Sequence, residues 1–551
     1  MNTLDASVSI TYSRWLNAAK NDERLARELE GIKDDLKEIT DRFYCELKFG
    51  TGGLRGKLGA GTNRMNDYVV ARATRGLASY VKSEFCDAPC VVIAYDSRNM
   101  SKEFAFLSAR VLSEYGVKAY VFDKITPTPV LSFAVRYLKA SAGIVITASH
   151  NPKEYNGYKV YNDKGCQITD EAAKIILGEI EKNDYFSEIR ANESLITVLN
   201  DDVLDAFYDA VLKYSSFDLS NAKTPEIVYT PLNGTGNIPV RAILNKIGIK
   251  NVIVVPEQEM PNGNFPTCPY PNPEEKAALQ LAVELAEKEN ADLVLATDPD
   301  ADRIGIAVKT ASGDYRLLNG NETGVLMEDY IFSTRKPTNK KPVVVKTVVT
   351  SDMCKDVADE YGAVVKEVLT GFKYIGETID KLRDDEEYVF GLEESYGYLI
   401  GTHARDKDAV SAAMTIAEMT AYYSSRNKTL ADRLNELYEK YGYYKTALTS
   451  LTFSGKAGKA EMDELVADLR KNPFRVICGE SVTVKDYSFG IDGLPKSNVL
   501  SFTGKTVKVT VRPSGTEPKL KIYYQIKADD EQKANLILQR VKEETEKRFA
   551  E

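Results

Sequence analysis

The sequence has 551 residues, of which 43% are hydrophobic and 28% are charged, with a formal net charge of −9. This length is typical of about three to four domains, and the composition excludes extensive disorder. The acidic balance argues against a nucleic-acid or anionic-membrane partner, so an anionic small substrate would have to be held by a local cluster of Arg and Lys.

Cysteine usage and the N-terminus predict the compartment. Seven cysteines are scattered along the chain without a CxxC pair, which indicates reduced thiols. No apolar run is as long as a membrane span, and the polar N-terminal segment does not resemble a signal peptide. We therefore expect a cytoplasmic protein.

The apolar pattern predicts helices in the first 40 residues and then alternating strands and helices. The predicted strands are 91–95, 118–122, 143–147, 227–230, 251–255, 292–296, 343–349, 363–368 and 388–390, and the predicted helices include 102–115, 128–138 and 170–183. The alternation restarts twice, which indicates three similar α/β units. The segment 256–273 holds six prolines and is predicted to be an ordered loop rather than a helix or a central strand.

After residue 440 the pattern changes. Strands are predicted at 481–484, 498–502, 506–511 and 519–526, mostly without helices between them, followed by a helix over 530–549. The prediction is an α/β protein with three similar domains that have mixed sheets (1–200, 201–320 and 321–440) and a smaller C-terminal α+β domain (441–551).

A serine follows the predicted strand 143–147. Ser149 lies where Asn151 and Pro152 forbid a helix, and His150 beside it is one of two histidines in the chain. A rare histidine next to a serine at a strand end indicates nucleophile chemistry. From these two residues alone, a polar turn is the simpler interpretation.

Three carboxylates follow the predicted strand 292–296. Asp298, Asp300 and Asp302 have alternate spacing in an extended loop, so their hard oxygens can converge on Mg²⁺. An EF-hand is excluded because Arg303 and Lys309 stand where that motif needs Gly and Glu. The alternative is an Asp-rich turn. We expect the loop to face solvent at a cleft.

Three further loops carry polar groups. Residues 512–519 offer Arg512, the hydroxyls of Ser514 and Thr516, and the backbone of Gly515 as an anion nest, although a hairpin turn is an equal alternative. The glycine-rich segment 50–56 fails the Walker A pattern and presents one arginine, Arg55. Residues 391–397 offer Glu393 and Ser395 for sugar hydroxyls, but alone they indicate an exposed acidic turn.

Together these segments resemble the α-D-phosphohexomutases, the phosphoglucomutase/phosphomannomutase superfamily, in family order and over nearly the whole chain. The matching segments are 147–152 (phosphoserine loop), 298–303 (metal loop), 393–395 (sugar loop) and 512–518 (phosphate loop), with 50–56 and 369–373 in addition. The resemblance implies four domains around a central cleft, the last one similar to the TATA-binding-protein fold. The Glu-Glu-Ser form of the sugar loop is similar to glucose-type members. One departure is Ala409 after Lys407-Asp408, where many members have Gly.

The resemblance implies reversible conversion of α-glucose 1-phosphate to glucose 6-phosphate, through a phosphorylated Ser149 and a glucose 1,6-bisphosphate intermediate that also activates the enzyme. Mg²⁺ would be bound by the three aspartates and the phosphoserine. The implied substrate-binding residues are Thr370, Gly371, Arg303, Glu393, Ser395, Arg512, Ser514, Gly515 and Thr516. Candidates for the general base are Lys159, Lys407 and His150, and Arg55 could depress the pKa of a lysine base. His403 is interpreted as a plain loop histidine rather than a substrate contact.

Several alternatives stay open. Within the family these are phosphopentomutase and phosphomannomutase activity. Outside it they are a haloacid-dehalogenase-type phosphatase, with Asp298 as the nucleophile, and a non-catalytic sugar-phosphate sensor. The expected partner is a small phosphosugar, and the expected assembly is a monomer or a homodimer.

Overall fold

The computed structural model describes residues 4–18, 22–453, 455–514 and 519–550, which form four units, each built on its own sheet. The first unit contains, in chain order, α1 (Ala6–Ala18), α2 (Glu23–Gly31), α3 (Leu36–Phe43), β1 (Leu54–Lys57), α4 (Asp67–Glu84), β2 (Cys90–Tyr95), α5 (Ser101–Glu114), β3 (Lys118–Phe122), α6 (Thr128–Tyr137), β4 (Ala142–Ile146), β5 (Tyr155–Asn162), α7 (Asp170–Glu181) and β6 (Ile196–Leu199). Its sheet has the order β1-β5-β4-β2-β3-β6.

The second and third units repeat this alternation. The second contains α8 (Asp202–Leu212), β7 (Ile227–Thr230), α9 (Asn237–Lys246), β8 (Val252–Val254), α10 (Pro256–Glu259), α11 (Lys276–Glu289), β9 (Leu293–Thr297), β10 (Ile304–Lys309) and β11 (Tyr315–Leu318). The third contains α12 (Gly320–Thr334), β12 (Lys341–Thr347), α13 (Met353–Glu360), β13 (Val364–Val368), α14 (Phe372–Asp380), β14 (Glu386–Glu393), β15 (Gly397–Ile400), α15 (Ala409–Ser424) and α16 (Leu430–Tyr441).

The fourth unit is an antiparallel sheet with two long helices. It contains β16 (Tyr443–Thr452), α17 (Gly455–Lys471), β17 (Val476–Ile477), β18 (Glu480–Ser481), β19 (Thr483–Asp486), β20 (Leu500–Thr503), β21 (Val507–Pro513), β22 (Lys519–Ala528) and α18 (Glu531–Ala550). Its five-stranded order is β16-β22-β21-β20-β19. The expectation of few helices here missed α17.

The first three units share one arrangement that positions the site. In each, a parallel strand at the centre of the sheet turns back into an antiparallel neighbour: β4 into β5, β9 into β10, and β14 into β15. Strands β4 and β9 are buried along their whole length and are apolar except for Thr297, as is typical of strands covered by helices on both faces. The polar residues that follow β4 and β9 therefore lie at the carboxyl ends of central strands, which is where open α/β sheets bind ligands.

Apolar packing joins these units. One buried cluster runs continuously from α6 and α8 through β7, β9 and α9 to α12, α15 and α16. Helix α15 is buried on almost every side, and Asp408 caps it by accepting from Val410 N and Ser411 N at 2.8 and 3.2 Å. This cap fixes the residue next to Lys407.

One local prediction was wrong. Residues Pro256–Glu259 form a helical turn inside the proline-rich segment. Proline is tolerated at the first position of a helix because its missing N–H has no intrahelical partner there. Among the described residues, no helix combines the length and the apolar character needed to cross a bilayer.

Candidate active site

Ser149 lies in the connection between β4 and β5. Its Oγ donates to Asp298 Oδ2 at 2.7 Å and lies 3.1 Å from His150 Nδ1, and its N–H donates to Thr147 Oγ1 at 2.8 Å. The side chain is buried, and φ is +52°. A non-glycine residue in this left-handed region is uncommon. In this backbone conformation the hydroxyl of Ser149 points to Asp298.

The three aspartates occupy the connection between β9 and β10. One carboxylate oxygen from each of Asp298, Asp300 and Asp302 lies within 4.8 Å of the others. All three side chains are at most 2% exposed, so the expectation of a solvent-facing loop was wrong. Other units cover the loop: Asp300 O accepts from Thr128 N at 2.9 Å, and Ala301 O accepts from Ala409 N at 3.2 Å.

These carboxylates fit a hard divalent cation. Burial, followed by Asp300 and Asp302, raises the pKa of Asp298 well above its usual value. Burial also opposes ionisation of Asp300, but Lys159 and hydrogen bonds outweigh it, so the pKa of Asp300 is lowered. Buried Oδ1 atoms of Asp300 and Asp302 receive no hydrogen bond from the described residues. Closely spaced carboxylate oxygens without donors are suitable ligands for Mg²⁺.

Two buried lysines face this cluster. Lys159 on β5 places Nζ 2.8 Å from Asp300 Oδ2 and 3.6 Å from Asp302 Oδ2, and Lys407 places Nζ 3.1 Å from both Asp302 Oδ2 and Asp406 Oδ1. Burial lowers the pKa of each lysine, but the carboxylates outweigh it and both pKa values are raised. Arg55 is among the charges that lower the pKa of Lys159, as the sequence analysis allowed, but Asp300 and Asp302 outweigh it.

The two histidines have different environments. Burial, then the charges of Arg303 and Arg55, lower the pKa of His150 well below its usual value, so its ring is neutral at physiological pH. His403 pairs Nε2 with Asp408 Oδ2 at 2.7 Å and packs against the Phe207 ring. Its partners make it a packing residue at the base of α15.

A small cavity of about 120 Å³ opens above Ser149. Its lining residues are Gly52, Arg55, Ser149, His150, Lys159, Gln167, Asp302, Arg303 and Lys407. Arg55 lies on β1 opposite Gly157 of β5, and its Nη1 donates to Asn151 Oδ1 at 2.9 Å. Arg303 forms an ion pair with Glu274. Most of the side chains predicted for catalysis thus line one space.

The end of β14 and the loop that follows it supply acceptors from the third unit. Glu393 Oε1 accepts the Gly371 N–H at 2.8 Å, and the buried Thr370 Oγ1 has no hydrogen-bond partner among the described residues. Burial and the adjacent Glu393 raise the pKa of Glu394 to about 7. Ser395 follows in a partly exposed position. Thr370, Gly371 and Glu393 are therefore brought together.

In the fourth unit, the predicted phosphate loop connects β21 and β22. Arg512 and Lys521 are cross-strand partners, and Ser514 N donates to Lys519 O at 2.7 Å. The pKa of Lys521 is lowered by burial and by Arg512, whereas Glu274 and Glu394 oppose this shift. Lys521 thus lies within electrostatic range of the second and third units. Gly515 and Thr516 lie outside the described residues.

Several residues in or near this centre were not predicted from the sequence: Asp96, Arg98, Thr128, Glu274 and Lys521. Asp96 and Arg98 follow a predicted apolar strand just as Ser149 does, which was an available signal. Glu274 lies in the proline-rich segment interpreted only as a loop. Its pairing with Arg303 is a long-range contact that no local pattern predicts.

Comparison with known proteins agrees with this geometry. Four family models match: phosphoglucomutase/phosphomannomutase alpha/beta/alpha domain I at 46–186, domain II at 205–313, domain III at 319–441, and the C-terminal domain at 455–543. The chain belongs to the phosphoglucomutase/phosphomannomutase family. It is therefore an isomerase of the phosphohexomutase type, and the predicted family and four-domain α/β architecture are confirmed.

Individual relatives match over nearly their full length. A phosphoglucomutase of Staphylococcus haemolyticus is 37% identical over 504 residues, covering 89% of this chain and 92% of the relative. A phosphoglucomutase of Staphylococcus aureus is 35% identical over 534 residues, covering 94% and 95%. The crystal structure of parafusin, a phosphoglucomutase from Paramecium, in an open form shares the fold with a TM-score of 0.72 at 18% identity, covering 92% of this chain and 96% of that one.

Proposed function

We propose that the enzyme interconverts α-glucose 1-phosphate and glucose 6-phosphate, with Ser149 as the phosphoryl carrier. The observation that carries this proposal is the contact between Ser149 Oγ and Asp298 Oδ2 at 2.7 Å, at the edge of a cavity walled by arginine and lysine side chains. It joins a nucleophile, a divalent-cation site and cations for an anionic group. The choice of glucose is supported by the relatives named phosphoglucomutase and by the Glu-Glu-Ser sugar loop.

Asp298, Asp300 and Asp302, with an oxygen of phosphorylated Ser149, would hold Mg²⁺. The bound ion would supply positive charge that neutralises the phosphoryl oxygens during transfer. Ser149 itself would carry about −1.5 to −2 charge when phosphorylated. Arg55, Lys159, Lys407 and Arg303 provide further fixed positive charge around the same space.

The reaction needs two transfers. In the first, a free sugar hydroxyl attacks phosphorus, the bond from phosphorus to Ser149 Oγ breaks, and glucose 1,6-bisphosphate forms. After the bisphosphate turns end over end, Ser149 Oγ attacks its other phosphorus, the bond from that phosphorus to the sugar oxygen breaks, and the sugar oxygen takes up a proton as the product leaves. Neutral His150 Nδ1, 3.1 Å from Oγ, is the acceptor we assign to the serine proton in this second step.

The sugar hydroxyl also loses a proton in the first transfer. Lys159 and Lys407 are protonated in the ligand-free molecule because their carboxylate partners raise their pKa values. Either lysine could act as the base only after those partners are neutralised. We therefore assign both lysines first to charge stabilisation of the phosphoryl group and treat Lys159 as the candidate base.

The remaining residues would recognise the sugar and the phosphate that does not react. Glu393 and Ser395 would bind hydroxyls in both orientations of the bisphosphate, beside Thr370 and Gly371. Arg512 and Ser514, with Gly515 and Thr516, would hold the distal phosphate. We further propose that glucose 1,6-bisphosphate activates the enzyme by rephosphorylating Ser149, and that the protein works in the cytoplasm as a monomer or a homodimer.

The test is an assay of purified enzyme with Mg²⁺ on the 1-phosphates of glucose, mannose, glucosamine and ribose, together with intact-mass analysis. We expect glucose 1-phosphate to have the highest kcat/KM and the protein to carry one phosphate that survives acid and is labile in base. A preference for mannose or ribose would replace the substrate by another of the same family. An adduct labile in both acid and base would instead place the phosphate on an aspartate such as Asp298.

A further inference from the structure

Strand β2 runs parallel to β4 at the centre of the first sheet, with Tyr95 opposite Ile146. The chains that leave these two strands are therefore side by side, and the Asp96 N–H donates to Ile146 O at 3.1 Å. Arg98 follows two residues later. Its Nε lies 3.3 Å from Asp96 Oδ2, and neither side chain has any solvent exposure.

The Arg98 guanidinium is bound to the serine loop. Its Nη1 donates to Pro152 O at 2.9 Å and Tyr155 O at 3.2 Å. Its Nη2 donates to the carbonyls of Ser149 and Asn151. One rigid planar fork thus binds four carbonyls of the connection that bears the nucleophile.

The second unit covers this fork from outside. The Phe265 ring is 4.9 Å from the guanidinium carbon and 1% exposed, and Asn99 Nδ2 donates to Asn264 Oδ1 at 3.1 Å. A Cβ on Gly263 would lie 2.5 Å from Asn99 N, so this position has no room for a side chain. The proline-rich segment therefore packs over Arg98, whose side chain has no solvent exposure.

We propose that Arg98, held by Asp96 and covered by Phe265, is a positioning residue for phosphoryl transfer, which keeps Ser149 in its left-handed conformation so that Oγ points to Asp298. The φ of +52° at Ser149 is a conformation that a serine does not keep without external support. Arg98 supplies that support through the Ser149 carbonyl itself. It contacts no reacting atom, so its effect is on geometry.

The consequence is a specific kinetic signature. A misplacement of about 1 Å at a reacting group lowers the rate by about a hundredfold, whereas the residues proposed to hold the sugar and the distal phosphate lie in other units. Loss of the fork should therefore lower kcat and leave KM for the sugar phosphate nearly unchanged. Because a partly unfolded variant would also show a lower apparent kcat at constant KM, kcat is calculated for the folded fraction of each variant, measured by urea unfolding under the assay conditions.

The test compares Arg98→Lys with the matched variant Arg75→Lys. Arg75 is also a buried arginine of the first unit that donates to two carbonyls, Ser187 O at 2.9 Å and Glu188 O at 3.3 Å, but it lies outside the site. Lysine keeps the charge but lacks the planar fork. In Arg98→Lys we expect kcat to fall at least tenfold, with KM within threefold of the wild-type value. In Arg75→Lys we expect kcat to stay within threefold of the wild-type value.

The inference rests on the proposed role of Ser149, so wild-type enzyme is first shown by intact mass to carry phosphate and to turn over. Failure there refutes the function and not the role of Arg98. With that shown, equal kcat values in Arg98→Lys and Arg75→Lys, or a rise in KM at normal kcat, would overturn the proposal. If Arg98→Lys is not recovered folded, Phe265→Leu decides: a fall in kcat of threefold or more at constant KM supports the proposal, and an unchanged kcat overturns it.

Discussion

Replacing Lys407 with methionine should destabilise the ligand-free enzyme and, at the same time, strengthen its binding of Mg²⁺. Lys407 Nζ lies 3.1 Å from one carboxylate oxygen of Asp302 and 3.1 Å from one of Asp406. At this distance and an effective dielectric constant of about 20, each attraction amounts to about 5 kcal/mol before desolvation. Removing one partner of a buried pair costs about 3–5 kcal/mol, because the carboxylates remain buried without it.

The magnesium effect follows from the same charges. Without Lys407, less positive charge lies beside the three aspartates of the loop. A bound divalent cation would then balance the negative charge of Asp302 in place of the lysine. Saturating Mg²⁺ should therefore shrink the stability deficit of the variant, and its affinity for Mg²⁺ should rise by about tenfold or more, which corresponds to about 1.4 kcal/mol. The rate of turnover should fall, since a cation beside the phosphoryl group is lost.

The assay is urea unfolding followed by the transition midpoint, with and without Mg²⁺, alongside calorimetric Mg²⁺ titration. The control is Lys428→Met, which breaks a half-exposed pair with Glu436 (2.6 Å) in the same unit and should cost at most about 1 kcal/mol. If Lys407→Met loses no more stability than the control, or if Mg²⁺ leaves the deficit unchanged, the charge balance argued for this cluster is wrong.

Four further outcomes are expected. Ser149→Ala should lower kcat by at least about 10³-fold, equal to about 4 kcal/mol, and intact mass should show no phosphate; a near-normal rate would remove the serine from the mechanism. Activity should vanish in EDTA and return with Mg²⁺, and full activity under chelation would contradict the metal site. Asp300→Asn should weaken metal binding. Because the residue is buried, this variant should also lose about 1–3 kcal/mol of stability in urea unfolding. Arg512→Ala should raise KM about ten- to a hundredfold in both directions and increase the requirement for glucose 1,6-bisphosphate; unchanged constants would make its loop an ordinary turn. Burial and then Lys346 lower the pKa of Lys508 to about 8 in the folded protein. Between this value and the higher pKa of lysine in the unfolded chain, the unfolded state binds more protons, so the free energy of unfolding rises with pH. Lys508→Met should lack that rise when urea midpoints at about pH 7 and pH 10 are compared, and a pH profile identical to that of wild type would refute the shift.

The strands that carry the site were predictable because their signal is local. Val91–Ile93 and Ile144–Ile146 are apolar runs bounded by polar turns, and such runs are buried central strands in this fold. Strand β5 was not predicted, since Tyr155–Asn162 mixes Lys159 and two asparagines with aromatic residues. Its conformation is stabilised by pairing with β1 and β4, which lie far apart in sequence.

The electrostatic state of the site was less predictable than its residues. The spacing of Asp298, Asp300 and Asp302 indicated a cation site, but exposure of the loop depends on Thr128 and Ala409, which come from other units. The pKa of Lys159 likewise depends on which charges surround it in three dimensions. Residue type and spacing predict which chemistry is possible, whereas burial and partner choice are properties of the packed molecule.

The backbone bonds that Thr128 and Ala409 make to the aspartate loop have a consequence for how the enzyme matures. Because those donors belong to the first and third units, the loop has its final shape only when all three units have docked. A nascent chain released after the second unit would hold the three carboxylates but not the framework that gathers them. The metal loop is therefore a shared property of three units, and a chain in which the third unit has not docked lacks the Ala409 N–H that helps to shape it.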